Sequence, residues 1–294
     1  MFWIFFADWR RNHLMTPQFD RIPMPRQTGI HDGIMLVDKP SGPTSHDIVA
    51  MVRRHFRFDK VGHGGTLDPQ ATGLLVILIE RGTKLSSSFL NSDKTYEGTI
   101  RFGISTDSQD AQGKVIREAD ASAITRETLL EGMRSFTGDL MQAPPMVSAA
   151  KRDGVPLYKL ARQGKTIERE ARLIHVYKFE LVDFTPPRAS FVLQCTKGTY
   201  VRTICSDLGD KFGCGAHLEQ LRRTMSGDMR VENAISLDDL GKMNRDQVLA
   251  RIIPLHKVTI QKAMHPAGEP RQNHPANGQS RRNEQNRPPR NSQA

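Results

Sequence analysis

Residues 62–79 read GHGGTLDPQATGLLVILI. The first twelve hold one carboxylate, Asp68, one imidazole, His63, four glycines and a proline, a composition that forms turns and lets backbone approach a neighbour closely. The last six, 74–79, are continuously aliphatic, long enough for a strand buried on both faces and too short for a helix. A pliable loop therefore opens directly onto a buried strand. A carboxylate on such a loop, walled by apolar groups, can serve as a nucleophile toward an electrophilic carbon if a cation keeps it ionised. Asp-Pro is equally an ordinary turn dipeptide, so this segment alone does not choose between the two.

Outward from this point the pattern alternates hairpin-like strands with isolated helices. IMLV at 34–37 reads as a buried strand, and 45–56, SHDIVAMVRRHF, as a helix with Ile48, Val52 and Phe56 on one face. Thr44 followed by Asp47 is a variant capping box. In 95–103, TYEGTIRFG, the residues Tyr96, Ile100 and Phe102 alternate with Thr95, Glu97, Thr99 and Arg101, which turns the tyrosine toward the interior or a pocket. Thr125 caps a helix running to about 136. Strands are expected near 173–184 and 189–196, and a helix from Tyr200 turns Val201, Ile204, Leu208 and Phe212 inward. No internal repeat occurs and no regular βαβ rhythm, so the class is α+β.

Lys and Arg number 42 against 32 Asp and Glu, a formal charge of +10, which favours an anionic partner, nucleic acid or a membrane surface. The opening MFWIFFADWRR is too short to span a bilayer and carries its basic residues after the apolar part, the reverse of a secretory signal. Three cysteines without CxxC or His-paired spacing argue against a disulfide framework and a structural zinc site. Both readings point to the cytoplasm. Residues 1–29 lack periodicity and are expected to be a disordered extension, read as an over-long frame whose true start is Met15 or Met24. Residues 258–294 are expected to be a disordered basic tail, and 30–257 the folded, catalytic domain. The sequence lacks a complete GxGxxG, any GxxxxGK[ST], HExxH, or HxE with PCxxC, so no nucleotide cofactor or metal is expected.

A second segment, 197–204, KGTYVRTI, leads through a glycine turn into a helix whose first turn carries Arg202. A cation there opposes the helix dipole, so the guanidinium should have an anionic partner. Asp68 is one candidate; an exposed pairing with the nearby Asp207 is the bland alternative. Taken singly, Tyr96 reads equally as a core tyrosine, His63 as a turn histidine, and Lys39-Pro40 as the end of a strand.

Together and in this order, however, the segments resemble the TruB-type tRNA pseudouridine synthases over about residues 33–223. GIMLVDKPSGPTSHDIV resembles their first motif, GHGGTLDPQATGLL their catalytic loop, DKTYEGTIRFG their tyrosine strand and KGTYVRTICSDLG their arginine motif. STDSQDAQG, QAPPMVSAAKRDGVPLYKLARQG and GCGAHLEQLRR add to the match. Gly64 departs from it, since relatives usually carry Thr there.

The resemblance implies the pseudouridine synthase fold, a mixed, mainly antiparallel sheet flanked by helices and loops around a central RNA-binding cleft. It implies isomerisation of the T-arm uridine at tRNA position 55 after base flipping, without a cofactor. Asp68 would be the nucleophile, attacking ribose C1′ or uracil C6, with Arg202 pairing with it and Tyr96 stacking on the base and helping to remove the C5 proton. His63, Lys39, Pro40, Gly64, Leu221, Lys197 and Tyr200 would bind or frame the substrate. Isomerisation returns the base to its own sugar, so no second carboxylate is needed to activate water. The implied partner is the tRNA T arm alone, with a monomeric protein and neither guide RNA, protein partner nor membrane. The appended PUA domain of many relatives is expected to be absent, with the tail arginines touching phosphates instead. The rivals are a non-catalytic RNA-binding module and a guide-RNA-dependent relative.

Overall fold

The structure, a computed structural model, describes residues 31–146, 148, 151–152, 155–156 and 167–258. The expectations for residues 1–29 and for the tail beyond Val258, and most of the 142–164 motif, lie outside them.

The aliphatic run becomes a central strand. In chain order β1 (Gly33–Lys39), α1 (Ser45–His55), β2 (Val61–His63) and β3 (Thr72–Ile79) come first, and every residue of β3 after Thr72 is buried. Then follow α2 (Ser86–Asn91), β4 (Lys94–Phe102), a hairpin of β5 (Ile104–Thr106) and β6 (Val115–Glu118), α3 (Arg126–Arg134), β7 (Gly138–Gln142), and the short pair β8 (Lys151–Arg152) and β9 (Val155–Pro156). The chain continues through β10 (Arg172–Thr185), β11 (Arg188–Cys195), α4 (Val201–Lys211), β12 (Ala216–Ser226), β13 (Met229–Arg230), β14 (Ile235–Ser236), α5 (Leu237–Lys242), α6 (Arg245–Leu249) and β15 (Ile253–Pro254).

The main sheet runs β14-β1-β3-β12-β4-β11-β10-β7, with β2 on β3, β13 on β12 and β15 on β1. Only the β1–β14 and β3–β12 pairings are parallel, so the sheet is mixed and mainly antiparallel. One edge of β3 pairs with β1 along its length. The other is shared by β12 at its start, where Arg222 and Arg223 face Thr72 and Gly73, and by β2 at its end. The 64–71 loop leaves the sheet in the gap between them.

Burial on both faces follows from the period of two. From β1 and β3, Met35, Val37, Leu75, Ile77 and Ile79 pack under α1, α5 and α6 against Ile48, Val52, Leu240 and Val248. Ile34, Leu36, Leu74, Val76 and Leu78 pack the opposite way against Phe89 and Val231. Each such side chain contributes about 1.5–3 kcal/mol of transfer free energy, which makes β3 a rigid base for the loop ahead of it. The second core lies under α3 and α4 and takes Ile100 and Phe102 of β4, Phe191 and Leu193 of β11, and Val201, Ile204 and Leu208. Tyr96 packs against that core, on the face its alternation predicts.

Thr44 and Asp47 form the expected reciprocal capping box at α1. Thr125 caps α3, which stops at Arg134 rather than 136. The sequence pattern gave no hint of β12, the strand joining the two halves of the sheet. Its segment AHLEQLRRTMS mixes charge with apolar residues, and three of its buried side chains, His217, Arg223 and Ser226, are polar.

Candidate active site

Asp68 stands on the loop between β2 and β3, which is tied to α1, to the connection between β1 and α1, to the end of β1 and to β12. Ser45 Oγ accepts from Leu67 N–H (2.8 Å) and donates to Leu67 O (3.0 Å). Gly42 N–H reaches Pro69 O at 2.8 Å, and Ala71 N–H reaches Asp68 O at 3.1 Å. Lys39, fully buried at the end of β1, donates from Nζ to the carbonyls of Pro40 and Pro69 (2.9 Å each) and Ala71 (2.6 Å). Burial pulls this ammonium down from 10.5 to about 8 while the nearby Asp68 opposes the shift. From β12, Arg223 donates to Leu74 O (2.8 Å), Gly65 O (3.0 Å) and Thr66 O (3.4 Å). Gly73 has φ +96°, and a Cβ there would meet Arg223 O at 2.3 Å, so the crossing of β3 and β12 requires a glycine. An intrinsically pliable loop is thus fixed by directional contacts from its surroundings rather than by its own sequence.

Arg202 answers the question of its partner. It lies in the first turn of α4, only 5 % exposed, where a solvent-facing arginine was the bland expectation. Its Nη2 pairs with Asp68 Oδ2 at 3.2 Å and its Nη1 with Asp110 Oδ2 at 3.3 Å, and Nη1 also donates to Ser108 O at 3.0 Å. One guanidinium therefore lies between two carboxylates of different character. The Asp110 side chain is 8 % exposed and Asp68 44 %, so Asp68 alone is open to an incoming molecule. Asp110 is held in turn by Ser108 Oγ (2.6 Å) and Gln112 N–H (3.1 Å) on its Oδ1. The preceding Gln109 takes φ +63° and hydrogen-bonds Thr203 of α4, which presses this turn against the helix. In the sequence Asp110 is marked only by its place in STDSQDAQG, an Asp-rich, Ser-containing turn.

A shallow recess beside Asp68 and Arg202 is floored by Ala71, Leu218 and Leu221. Tyr96 sits on β4 opposite Arg223 of β12, and Leu221 opposite Gly98. Burial pushes the Tyr96 phenol up to about 12, with the Arg223 guanidinium opposing that shift and the Asp68 carboxylate adding to it. A Cβ at Gly98 would meet Phe191 Cζ at 2.6 Å and Gln220 O at 2.8 Å, so the packing of β4 between β11 and β12 requires a glycine there.

The remaining sequence candidates are placed variously. His63 ends β2 half-buried, and its Nδ1 accepts from Gly65 N–H at 3.3 Å; burial, then Arg223 and His46, lower its pKa, so it is a neutral imidazole bearing its proton on Nε2. Pro40 contributes its carbonyl to Lys39. Gly64 is buried, and a Cβ there would meet Phe89 Cβ at 2.7 Å, so the smaller residue goes with the ring behind it. Tyr200 is the N-cap residue of α4, its backbone bracketed by the Gln142 side chain at 2.7 and 3.1 Å. Lys197 is not drawn into the cluster: its Nζ bonds Asn91 Oδ1 at 2.9 Å.

Among the described residues no group of three or more His, Cys, Asp or Glu is placed to hold a metal ion, and no helix is long and apolar enough to cross a membrane. Chemically, the arrangement offers an accessible carboxylate oriented by a buried guanidinium, beside a recess lined in part by Ala71, Leu218 and Leu221.

Residues 53–201 match the family model of the TruB family pseudouridylate synthase N-terminal domain, and residues 202–258 that of the tRNA pseudouridylate synthase B C-terminal domain. The boundary falls in the first turn of α4, and β12 from the second segment pairs with β3 and β4 from the first. The chain is 49 % identical over 226 residues to tRNA pseudouridine synthase B of Opitutus terrae, covering 77 % of this chain and 94 % of that protein. It is 47 % identical over 215 residues to the enzyme of the same name from Geotalea uraniireducens, covering 73 % and 69 %. Among solved structures, a Cbf5-Nop10-Gar1 complex contains a chain that aligns with TM-score 0.62 at 27 % identity, covering 83 % of this chain and 67 % of that one.

Proposed function

The chain belongs to the TruB family of pseudouridylate synthases, isomerases that convert uridine in tRNA to pseudouridine, and we propose that it modifies the T-arm uridine at position 55 with Asp68 as nucleophile. The observation that carries this reading is the Asp68–Arg202 pair at 3.2 Å, in which the carboxylate faces solvent and the guanidinium does not. A buried, hydrogen-bonded arginine holds and aims the Asp68 carboxylate, and its second partner Asp110 fixes the arginine in turn.

A stacked uridine hides its reacting atoms, so the base must leave the T loop to reach Asp68. His63, at the rim of the loop with an Nε2 proton to donate, contacts the RNA from which the base has left. The everted uracil lies on the floor made by Leu221 and Ala71, with Tyr96 against its ring. Asp68 attacks C1′ or C6 as the glycosidic bond breaks, the detached base turns, and C5 joins C1′. The bond to Asp68 then breaks to return the carboxylate, and loss of the C5 proton, which Tyr96 helps to remove, restores the C5–C6 double bond. The base never leaves the pocket, so no water need be activated. Residues 30–257 constitute the catalytic domain. The protein acts in the cytoplasm as a monomer, without guide RNA or protein partner.

The test is an unmodified tRNA transcript incubated with the purified protein alone and mapped by carbodiimide-dependent primer extension. One stop, at the T-loop uridine, is expected. Modification elsewhere, or a requirement for added RNA or protein, would overturn the assignment.

A further inference from the structure

β12 sets eleven residues against nine of β4, and the two extra ones sit at bulges, Glu219 and Thr224. The first bulge bears on the active site. Leu218 stands opposite Ile100, Gln220 opposite Thr99 and Leu221 opposite Gly98, so Glu219 is the residue without a counterpart. In a regular strand, residues three apart point to opposite faces. Because of the bulge, Leu218 and Leu221 share one face, that of Gly98 and Ile100, and both line the recess beside Asp68 and Arg202. Without the extra residue Leu221 and Arg223 would turn to the outer face of the sheet, where Thr99 and Arg101 lie.

Glu219 also lies between the two points at which β12 receives the halves of the site. At Leu218 its edge takes the turn that carries Asp110: Leu218 N–H donates to Gln109 O and Ala111 N–H to Leu218 O, both at 3.1 Å. Asp110 in turn holds Arg202. At Arg222 and Arg223 the same edge takes the start of β3, which follows the Asp68 loop, and Thr72 Oγ1 donates to Leu221 O at 3.4 Å.

A bulged residue is left out of the backbone ladder; here its side chain is held instead. Glu219 Oε2 accepts from Arg188 Nε at 2.7 Å and Oε1 from Arg188 Nη2 at 2.9 Å, a bidentate pair that reaches across β4 to β11. Arg101 of β4, directly opposite Arg188, brings Nη1 to 3.5 Å from Oε1. The Glu219 side chain is only 18 % exposed, and the Arg188 hydrogen bonds hold its carboxyl below the ordinary value although burial opposes this. Like charges directly opposite one another on a sheet repel, so the carboxylate is what lets the two arginines share this position. A lone exposed ion pair fixes little. This one is bidentate and joins three strands.

We propose that Glu219 is a positioning residue: clamped by Arg188 and Arg101 on the outer face, it fixes the bulge that brings Leu218 and Leu221 under the uracil and sets the spacing of Arg202 from Asp68. The inference rests on the pseudouridine synthase reading above. The clamp acts through the strand and not on the substrate, so its loss reaches the rate of the reaction and leaves the affinity for tRNA alone.

The test compares Glu219→Ala, Arg188→Ala, the double variant and Glu219→Gln with wild type on unmodified tRNA transcript. Single-turnover pseudouridine formation, tRNA affinity and the thermal melt are measured on the same preparations. Glu219→Ala and Arg188→Ala should each slow the reaction by roughly 10–100-fold, the scale of a displacement of about 1 Å at the reacting groups, with tRNA affinity unchanged. The double variant should be no slower than the slower single one, because both break one clamp. Glu219→Gln, which keeps the shape and one acceptor oxygen, should fall between Glu219→Ala and wild type. A folded Glu219→Ala that reacts at the wild-type rate, even with a lowered melt, would show a clamp that only stabilises and would overturn the inference. So would multiplicative losses in the double variant, or a loss of tRNA affinity confined to Arg188→Ala, which would make that arginine a phosphate contact. Should the alanine variants fail to fold, Glu219→Gln decides, and a wild-type rate refutes the inference. A wild type that forms no pseudouridine refutes the proposed function itself, whereas an active wild type matched by Glu219→Ala refutes only the clamp.

Discussion

Arg202 holds Asp110 and Asp68 at nearly equal distances, 3.3 and 3.2 Å, yet the two carboxylates should matter to the protein in opposite ways. Replacing Asp110 by Asn keeps the shape and the acceptor for Ser108 and Gln112 but removes a charge that is 92 % shielded from water, its side chain being 8 % exposed. At an effective dielectric of about 20 the lost attraction is roughly 5 kcal/mol gross. Relief of the desolvation of Asp110 offsets part of this, and Arg202 keeps Asp68 as a counter-charge, so the net loss should be about 2–3 kcal/mol, below the range for a fully orphaned buried charge. For a domain of this size that lowers the melting temperature by about 5–10 °C. Asp68→Asn removes a side chain that is 44 % exposed, and solvent screening limits the loss to under about 1 kcal/mol. Thermal melts by circular dichroism on the two variants side by side check this. An Asp110→Asn melt within about 2 °C of wild type, or a larger loss for Asp68→Asn, would refute the unequal burial on which the reasoning rests.

Lys39 supplies a pH test. Its ammonium is pulled down from 10.5 to about 8 in the fold by burial, so between those values the unfolded chain binds the proton and the folded chain does not. The stability contribution of Lys39 therefore rises with pH across that window and is lost as pH falls through about 8. The difference in urea unfolding free energy between wild type and Lys39→Met should shift toward wild type by about 3 kcal/mol from pH 7.5 to pH 10.5; a flat difference would contradict the buried ammonium. Gly64→Thr should destabilise by about 1–3 kcal/mol through overpacking, because its Cβ would stand 2.7 Å from Phe89 Cβ. Trimming the ring with Phe89→Leu should recover part of that loss in the double variant, and strictly additive melts would show that Phe89 is not the obstacle. Asp38 and Arg222 form a bidentate pair at 2.7 and 3.0 Å in which both side chains are about one-third exposed. Asp38→Ala should accordingly cost under about 1 kcal/mol in a denaturant titration, and a loss as large as that of Asp110→Asn would undo the exposure argument.

What could be read from the chain was what short-range periodicity records. The aliphatic run 74–79, the alternation at Tyr96, Ile100 and Phe102, and the Thr44–Asp47 cap each declare themselves within a few residues, and each appears in the fold. The Asp68–Arg202 contact was one option among many, and only the joint order of the motifs favoured it. Asp110 and Arg223 escaped as individuals because their meaning is non-local. Asp110 looks like any turn aspartate until the positive φ of Gln109 and its bridge to Leu218 deliver it to α4. Arg223 looks like a surface residue of a charged strand until β3, β4 and the loop close over it. A hydrophobicity pattern assigns arginines to solvent, so it misreads a strand whose polar residues are buried to hold backbone carbonyls.

In the proposed mechanism a single carboxylate oxygen of Asp68 forms a bond with the everted nucleotide. This step is tested most directly by giving wild type and Asp68→Asn the same tRNA transcript, measuring binding and pseudouridine content on one set of samples. The variant should bind tRNA as wild type does and form no pseudouridine; turnover by the variant at the wild-type rate would show that Asp68 is not the nucleophile.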